Sequence, residues 1–179
     1  MAERCTEIFC SESDLQEMIR RLGEQITRDY ADQEIYVIGI LKGSFVFMAD
    51  LVRAIDRPMK IDFMSVSSYG DATVSSGEIN IRKDTDGDIK GKHVLIVEDI
   101  IDTGITMQSL IRILMEREPL DIRVCAAFDK PSRRVVEVNI DYIGKQIPDA
   151  FIVGYGLDYA ERYRNLPHVS VLEIYGGDQ

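Results

Sequence analysis

Residue types that build metal sites and disulfide frameworks are scarce in this chain of 179 residues. It has three cysteines, Cys5, Cys10 and Cys125, and two histidines, His93 and His168. The cysteines are odd in number and contain no CxxC pair, so they predict neither a disulfide framework nor a zinc site. The histidines lie far apart in the sequence, which argues against a histidine-based metal site.

The chain also lacks long apolar segments and an excess of positive charge. No apolar run approaches the roughly 20 residues that cross a bilayer, and the first residues lack the basic-then-apolar pattern of a signal peptide. The 21 Lys and Arg residues are outnumbered by 31 Asp and Glu residues, so the formal net charge is −10. This argues against nonspecific binding to nucleic acids or anionic membranes, although a local basic pocket stays open. We expect a reduced, cytoplasmic protein that binds neither nucleic acid nor membrane.

The distribution of apolar residues predicts an α/β fold. Hydrophobic residues make up 45% of the chain, enough for one domain with a sizeable core. Apolar residues at helical spacing predict helices at 45–52 and 107–115. Seven short segments have the composition of strands: 35–41, 59–67, 93–97, 122–128, 135–143, 151–153 and 169–174. Strands that alternate with helices predict a mostly parallel central sheet flanked by helices.

Two further segments have local signals. Ser13 and Gln16 have the spacing of a capping box at the start of an amphipathic helix. Residues 68–91 are rich in Ser, Gly, Asp and Thr, which favours a mobile loop or β-ribbon, and Ile79 and Ile81 alternate there as in a strand.

Residues 94–107, VLIVEDIIDTGITM, are the most informative segment. They predict a buried strand that ends in an acidic edge and turns at once into a helix, at the sheet edge where ligands of parallel sheets bind. Backbone N–H groups of the turn at 103–106, with the helix dipole behind them, suit a phosphate. Glu98 and Asp99 can accept hydrogen bonds from vicinal hydroxyls or bind a hard cation through water. Asp102 lies between these groups, where a carboxylate can act as a general base.

This segment matches neither common nucleotide-binding loop, because the chain has no Walker A sequence and no GxGxxG after its first predicted strand. It closely resembles the phosphoribosyl-pyrophosphate motif of the type I phosphoribosyltransferases, in the variant typical of the hypoxanthine-guanine enzymes. Other segments extend the resemblance in the family's order. They are the pyrophosphate loop LKGS at 41–44, the lid SSYG at 67–70, the purine lysine in DK at 129–130, and the base pocket at 151–159 and 162–166.

The resemblance implies a single domain over residues 1–179 with the type I phosphoribosyltransferase fold. A small hood would come from the N- and C-terminal segments, and residues 68–91 would contain a flexible lid loop. The implied reaction joins a 6-oxopurine to phosphoribosyl pyrophosphate and releases pyrophosphate and a nucleoside monophosphate. The family also implies a homodimer or homotetramer.

The resemblance further implies a ligand for each part of the site. Pyrophosphate would contact Lys42, Gly43 and Arg164, and the family often has a cis peptide bond at this lysine. Ribose and Mg²⁺ would be held by Glu98 and Asp99. The 5′-phosphate would bind at the turn formed by Asp102, Thr103, Gly104, Ile105 and Thr106.

The purine side of the site is implied in the same way. Lys130 would donate to the 6-oxo group, Phe151 would stack on the base, and the backbone of Ile152 and Asp158 would read the base edge. Asp158 would also hold a second Mg²⁺. Ser68 and Tyr69 would close over the site as a lid, and Asp102 would be the general base or acid at purine N7.

Two alternatives stay open beside this enzyme of purine salvage. One is a sister transferase that prefers xanthine, since xanthine shares the 6-oxo group. The other is a non-catalytic regulator that senses phosphoribosyl pyrophosphate or a nucleotide. The joint presence of Lys42, Asp102, Lys130 and Asp158 favours catalysis.

Overall fold

A six-stranded sheet lies at the centre of the computed structural model, which describes residues 2–68 and 79–175. Its strands are β2 (Ile35–Leu41), β3 (Met59–Ser68), β4 (Ile79–Lys83), β5 (His93–Ile101), β6 (Asp121–Asp129) and β7 (Tyr142–Gln146). In space they run β4-β3-β2-β5-β6-β7, and every neighbouring pair is parallel except β3 and β4. The predicted mostly parallel central sheet is therefore confirmed.

Helices cover both faces of this sheet. The helices α1 (Glu12–Asp29) and α2 (Phe45–Ala54) pack on one face, and α3 (Ile105–Met115) packs on the other. Along β5, Leu95 and Val97 belong to the core on the α1 and α2 side, whereas Val94 and Ile96 belong to the core under α3. Because both faces are buried there, residues 94–97 of the strand are all apolar instead of alternating.

A second, smaller sheet is built from the two ends of the chain. It contains β1 (Ala2–Cys10), β8 (Ile152–Val153) and β9 (Val169–Tyr175), in the antiparallel order β1-β9-β8. The hood that the resemblance implies would likewise come from the N- and C-terminal segments. The sequence did not predict β1, because many of its side chains are exposed and its apolar residues are too few to show a strand period.

The start of α1 differs from the prediction. The N-cap is Ser11, whose Oγ accepts the N–H of Asp14 at 3.2 Å, while Asp14 Oδ2 accepts the N–H of Ser11 at 2.9 Å. The capping box therefore joins Ser11 to Asp14, and the prediction of Ser13 with Gln16 is wrong. Ser13 Oγ instead lies 2.9 Å from Ser11 Oγ.

The predicted strand at 135–143 is also wrong over most of its length, because β7 begins only at Tyr142. The N–H groups of Val135 and Val136 donate to the carbonyl of Thr103, at 2.9 and 3.3 Å. These bonds hold the segment over the turn before α3 instead of beside β6. Within the part of the chain that the structure describes, none of the helices has the length and apolar character needed to cross a membrane.

Candidate active site

A cavity of about 280 Å³ opens where β2 and β5 end. Strand β5 runs further than predicted, through Glu98 and Asp99 to Ile101, which pairs with Asp129 of β6. The acidic pair is thus part of the sheet, and the turn into α3 follows it directly. Residues that line the cavity include Leu41, Gly43, Glu98, Asp99, Asp102, Thr103, Gly104 and Thr106.

The turn at 102–104 presents the N-terminus of α3 to this cavity. Gly104 is the N-cap and has a φ of 85°, a left-handed conformation that glycine adopts without the steric cost of a Cβ. A Cβ there would lie 3.0 Å from both Arg134 Cδ and the carbonyl oxygen of Val136. Ile105 opens the helix, and its N–H lies 3.4 Å from Thr103 Oγ1. The unpaired N–H groups of a first helical turn and the helix dipole favour an anion at such a place.

Arg134 supports this turn from behind, although the sequence reasoning did not single it out. Its Nε donates to the carbonyl of Asp102 at 3.0 Å, and its Nη2 lies 3.5 Å from the carbonyl of Ile101. The same guanidinium forms an ion pair with Asp129 at the end of β6. The signal in the sequence was the adjacent arginine pair after Pro131, which by itself is equally typical of an exposed turn.

Glu98 and Asp99 are adjacent, half-buried carboxyl groups on the cavity wall. Burial, and then the charge of Asp99, raise the pKa of Glu98 well above its ordinary value. Burial also raises the pKa of Asp99. A cation or a pair of hydroxyl donors at this position would relieve the crowding of negative charge.

Mg²⁺ fits these residues only as a partly hydrated ion. Among residues 2–68 and 79–175, no group of three or more His, Cys, Asp or Glu side chains is placed to hold a metal ion. Mg²⁺ usually keeps several waters and takes one or two carboxylates together with phosphate oxygens of the substrate. The pair Glu98 and Asp99, whose negative charge is poorly solvated, suits that mode of binding.

The loop after β2 packs directly against the acidic pair. The Leu41–Lys42 peptide bond is cis, as is frequent in the resembled family. A Cβ on Gly43 would lie 1.6 Å from Asp99 Oδ2, so a side chain there would displace the Asp99 carboxylate. On the other side, a Cβ on Gly156 would lie 2.1 Å from the carbonyl oxygen of Gly43. Three segments distant in sequence therefore meet at Gly43.

The C-terminal loop, residues 154–168 between β8 and β9, places a second cation, Arg164, near the side chain of Lys42. Arg164 Nη2 lies 2.7 Å from Asp158 Oδ1 and 3.4 Å from Glu161 Oε2, and its Nη1 donates to the carbonyl of Gly156 at 2.8 Å. Lys42 Nζ donates to the same Glu161 oxygen at 3.0 Å. Lys42, Asp158 and Arg164, all expected in the site, thus form one ion-pair network. Glu161, which the sequence reasoning missed, connects them.

A second network links Lys130 to Asp102. Lys130 is buried, and its Nζ lies 3.9 Å from Asp149 Oδ1. Arg133 Nη1 lies 3.7 Å from the same oxygen, and Arg133 Nε lies 3.3 Å from Asp102 Oδ1. Within the described residues, Asp102 Oδ1 is buried and accepts no hydrogen bond. The sequence reasoning missed Arg133 and Asp149, because nothing in their local pattern marks them as neighbours of Asp102.

Phe151 is 46% exposed and therefore is not an ordinary core phenylalanine. Its ring meets Tyr159 edge to face, with centroids 5.7 Å apart. The next residue, Ile152, is buried in β8. Of the expected lid, Ser68 is the last residue of β3, and Tyr69 lies outside the described residues.

Comparisons with known proteins identify one family. The family profile described as "Phosphoribosyl transferase domain" matches residues 11–160. The chain is 51% identical to a hypoxanthine phosphoribosyltransferase of Haemophilus influenzae over 172 residues, which cover 94% of this chain and 96% of that protein. It is 48% identical to a hypoxanthine-guanine phosphoribosyltransferase of Bacillus subtilis over 166 residues, which cover 93% and 92%.

Solved structures give the same result. A crystal structure of a hypoxanthine phosphoribosyltransferase from Staphylococcus aureus matches with a TM-score of 0.92 and 46% identity, over 94% of this chain and 92% of that one. The fold and the similarity over almost the whole length agree, and the chain belongs to the phosphoribosyltransferase family.

Proposed function

We propose that this protein is a purine salvage enzyme that converts hypoxanthine, and guanine, with phosphoribosyl pyrophosphate into IMP or GMP and pyrophosphate. The observation that carries the proposal is the single cavity that unites the acidic pair of β5 with the N-terminus of α3 and the loop at Gly43. The similarity to hypoxanthine and hypoxanthine-guanine enzymes over nearly the full chain supports the same substrates.

The turn at 102–106 anchors the 5′-phosphate, and the acidic pair anchors the ribose. Thr103 and Thr106 line the cavity beside the start of α3, where backbone N–H groups favour a phosphate. Glu98 and Asp99 accept hydrogen bonds from the ribose hydroxyls. They would also hold one Mg²⁺, and Asp158 would hold a second. When bound, Mg²⁺ neutralises charge that develops on the departing pyrophosphate.

Lys42 and Arg164 bind the pyrophosphate, together with the backbone at Gly43. The bond from C1 of ribose to pyrophosphate breaks as a bond from C1 to a purine ring nitrogen forms. Pyrophosphate leaves with several negative charges, so preorganised cations at the pyrophosphate end of the site lower the activation barrier of the reaction. Asp102 takes the proton from purine N7; its Oδ1 lies 3.3 Å from Arg133 Nε but accepts no hydrogen bond among the described residues, which supports this role.

Lys130 selects the purine. An ammonium group only donates hydrogen bonds, so it favours a 6-oxo group over the 6-amino group of adenine. Phe151, exposed beside Tyr159, stacks on the base, and the backbone of Ile152 and Asp158 reads its edge. Ser68 and Tyr69 contribute to a lid that excludes water from the reacting bond.

A direct assay tests the proposal. Purified protein is mixed with Mg²⁺, phosphoribosyl pyrophosphate and hypoxanthine, guanine, xanthine or adenine in turn, and the nucleotide product is separated and quantified. Hypoxanthine and guanine should be converted, and adenine should not. If neither hypoxanthine nor guanine is converted, the proposal is wrong. A clear preference for xanthine would identify the sister transferase instead.

We also propose a homodimer or homotetramer in the cytoplasm. A groove of about 940 Å³ between α1, α2 and the C-terminal loop supports a contact between copies, because it exposes apolar groups such as Phe45. The free thiols of Cys5, Cys10 and Cys125 are compatible with a reducing compartment. Light scattering after gel filtration tests the assembly, since a monomer at micromolar concentration would contradict it. Cell fractionation tests the location.

A further inference from the structure

One carboxylate is shared by the two cations that the proposed function assigns to pyrophosphate. Glu161 Oε2 accepts from Lys42 Nζ at 3.0 Å and lies 3.4 Å from Arg164 Nη2. Lys42 follows β2, whereas Arg164 belongs to the C-terminal loop, so this oxygen joins two separate parts of the site. A pyrophosphate oxygen would approach the same two donors.

The backbone presents the Glu161 carboxylate at this position. Glu161 has a φ of 62°, which is uncommon for a residue with a side chain. Its N–H donates to Asp158 Oδ2 at 2.9 Å. Tyr159 and Arg162 close the turn around it, because the N–H of each donates to the carbonyl of the other, at 3.2 and 3.0 Å. The turn therefore directs the Glu161 side chain towards the two cations.

The charges of this network cancel. Lys42 and Arg164 contribute two positive charges, and Asp158 and Glu161 contribute two negative charges. A pyrophosphate that enters must replace the Glu161 carboxylate as the partner of Lys42 and remains close to its negative charge. The Lys42 and Glu161 side chains are 66% and 65% exposed, and such exposed ion pairs contribute little to folding stability. Their effect on a charged ligand is therefore the larger consequence of the contact.

We propose that Glu161 is a positioning residue that competes with pyrophosphate: it holds Lys42 and Arg164 in place in the free enzyme, and it weakens the binding of pyrophosphate. The inference rests on the proposed function, which assigns the two cations to pyrophosphate. Because the carboxylate reoccupies the cations as pyrophosphate departs, it favours product release. The same competition for Lys42 and Arg164 also lowers the affinity of the enzyme for the pyrophosphate group of its substrate.

Binding of inorganic pyrophosphate, measured by isothermal titration calorimetry with Mg²⁺ present, tests this role. Glu161→Gln should lower the Kd by about 2- to 5-fold, the effect expected for one exposed ion pair. The KM for phosphoribosyl pyrophosphate should fall in parallel, whereas the KM for hypoxanthine should not change. Loss of a merely structural contact would weaken binding, so an unchanged or higher Kd overturns the inference.

Two comparisons isolate the contact from a general effect of charge. Glu17→Gln removes the same charge from an exposed glutamate that pairs with Arg20 on α1 at 2.6 Å, and it should leave the Kd of pyrophosphate unchanged. In a Lys42→Met background, Glu161→Gln should have a smaller effect than in the wild-type protein. The inference is contradicted if Glu17→Gln lowers the Kd of pyrophosphate as much as Glu161→Gln does. It is also contradicted if Glu161→Gln has its full effect in the Lys42→Met background.

The two proposals fail in different ways. If the wild-type protein converts neither hypoxanthine nor guanine, the proposed function is wrong. If the wild-type protein is active but Glu161→Gln does not tighten pyrophosphate, only the role of Glu161 is wrong.

Discussion

A Cβ atom on Gly43 would lie 1.6 Å from Oδ2 of Asp99, so any side chain at position 43 would displace the carboxylate of Asp99. Gly156 approaches from the opposite side, with its own Cβ position 2.1 Å from the Gly43 carbonyl oxygen. This contact couples the proposed pyrophosphate loop to the proposed ribose and metal ligands. Small changes at Gly43 should therefore disturb both ends of the substrate.

Gly43→Ala should lower kcat/KM by at least about 100-fold, because displacing reacting groups by 1 Å can cost that much. Steady-state kinetics with hypoxanthine measure the effect. Gly91→Ala is the matched control. Gly91 has a φ of 68°, and no described atom lies within 4 Å of its Cβ position. Gly91→Ala should lower the free energy of unfolding by about 1–2 kcal/mol, because residue 91 has a left-handed backbone. It should leave activity intact. Wild-type kinetics for Gly43→Ala would contradict the close packing.

Glu98→Gln should stabilise the free protein near neutral pH while weakening substrate binding. Burial and Asp99 raise the pKa of Glu98, so the folded protein holds a proton that the unfolded chain releases. The stability that depends on this proton is complete below the unfolded pKa of about 4.3 and is lost as the pH rises through the folded pKa. Thermal unfolding from pH 4 to 8 measures it. The variant should lose less stability over this range, and a slope equal to that of the wild type would count against the argument.

Asp102→Asn should lower kcat by about 10²- to 10⁴-fold, the usual contribution of a general base. The Kd for phosphoribosyl pyrophosphate should change little, because we propose that the 5′-phosphate binds to backbone N–H groups at the start of α3. Rapid-quench kinetics and equilibrium binding separate the two effects. Asp88→Asn, at an exposed loop position, is the control and should keep the wild-type kcat. Nearly wild-type turnover of Asp102→Asn would remove Asp102 from proton transfer.

Lys130→Ala should raise the KM for hypoxanthine by about 10- to 100-fold, as expected for the loss of one hydrogen bond from a charged donor. The KM for phosphoribosyl pyrophosphate should stay within a small factor of the wild-type value. Lys60→Ala, at an exposed position on β3, should change neither constant. Equal kinetics for Lys130→Ala and Lys60→Ala would show that Lys130 does not contact the purine.

Arg134→Met should destabilise the protein by about 3–5 kcal/mol, because it leaves a buried carboxylate without its partner. That carboxylate is Asp129, whose side chain is 5% exposed. Denaturant unfolding measures the loss. Arg117→Met breaks a pair with Asp84 whose side chains are 28% and 48% exposed, and should cost about 1 kcal/mol or less. Similar losses in the two variants would show that Arg134 is not the main support of the turn at 102–104.

Local patterns were sufficient for most of the fold and for the residues of the central motif. The apolar run of β5 is buried on both faces, so its composition alone marked it as a central strand. The prediction failed where the sequence was compatible with two local structures. Ser11 with Asp14 and Ser13 with Gln16 have the same capping-box spacing, and only the packed helix selects the first pair. Residues 135–141 have the alternation of a strand, but their N–H groups bond to Thr103 instead of to a sheet.

The sequence by itself determined most strands and helices of the central sheet, the acidic end of β5 and the turn after it, because each depends on residues close together in the chain. Only the tertiary structure decided that Arg134 supports this turn, that Arg133 lies between Asp102 and Asp149, and that Glu161 joins Lys42 to Arg164. These contacts join segments that are separated by up to 119 residues in sequence. Their charged side chains resemble any exposed Arg or Glu until packing places them beside a partner.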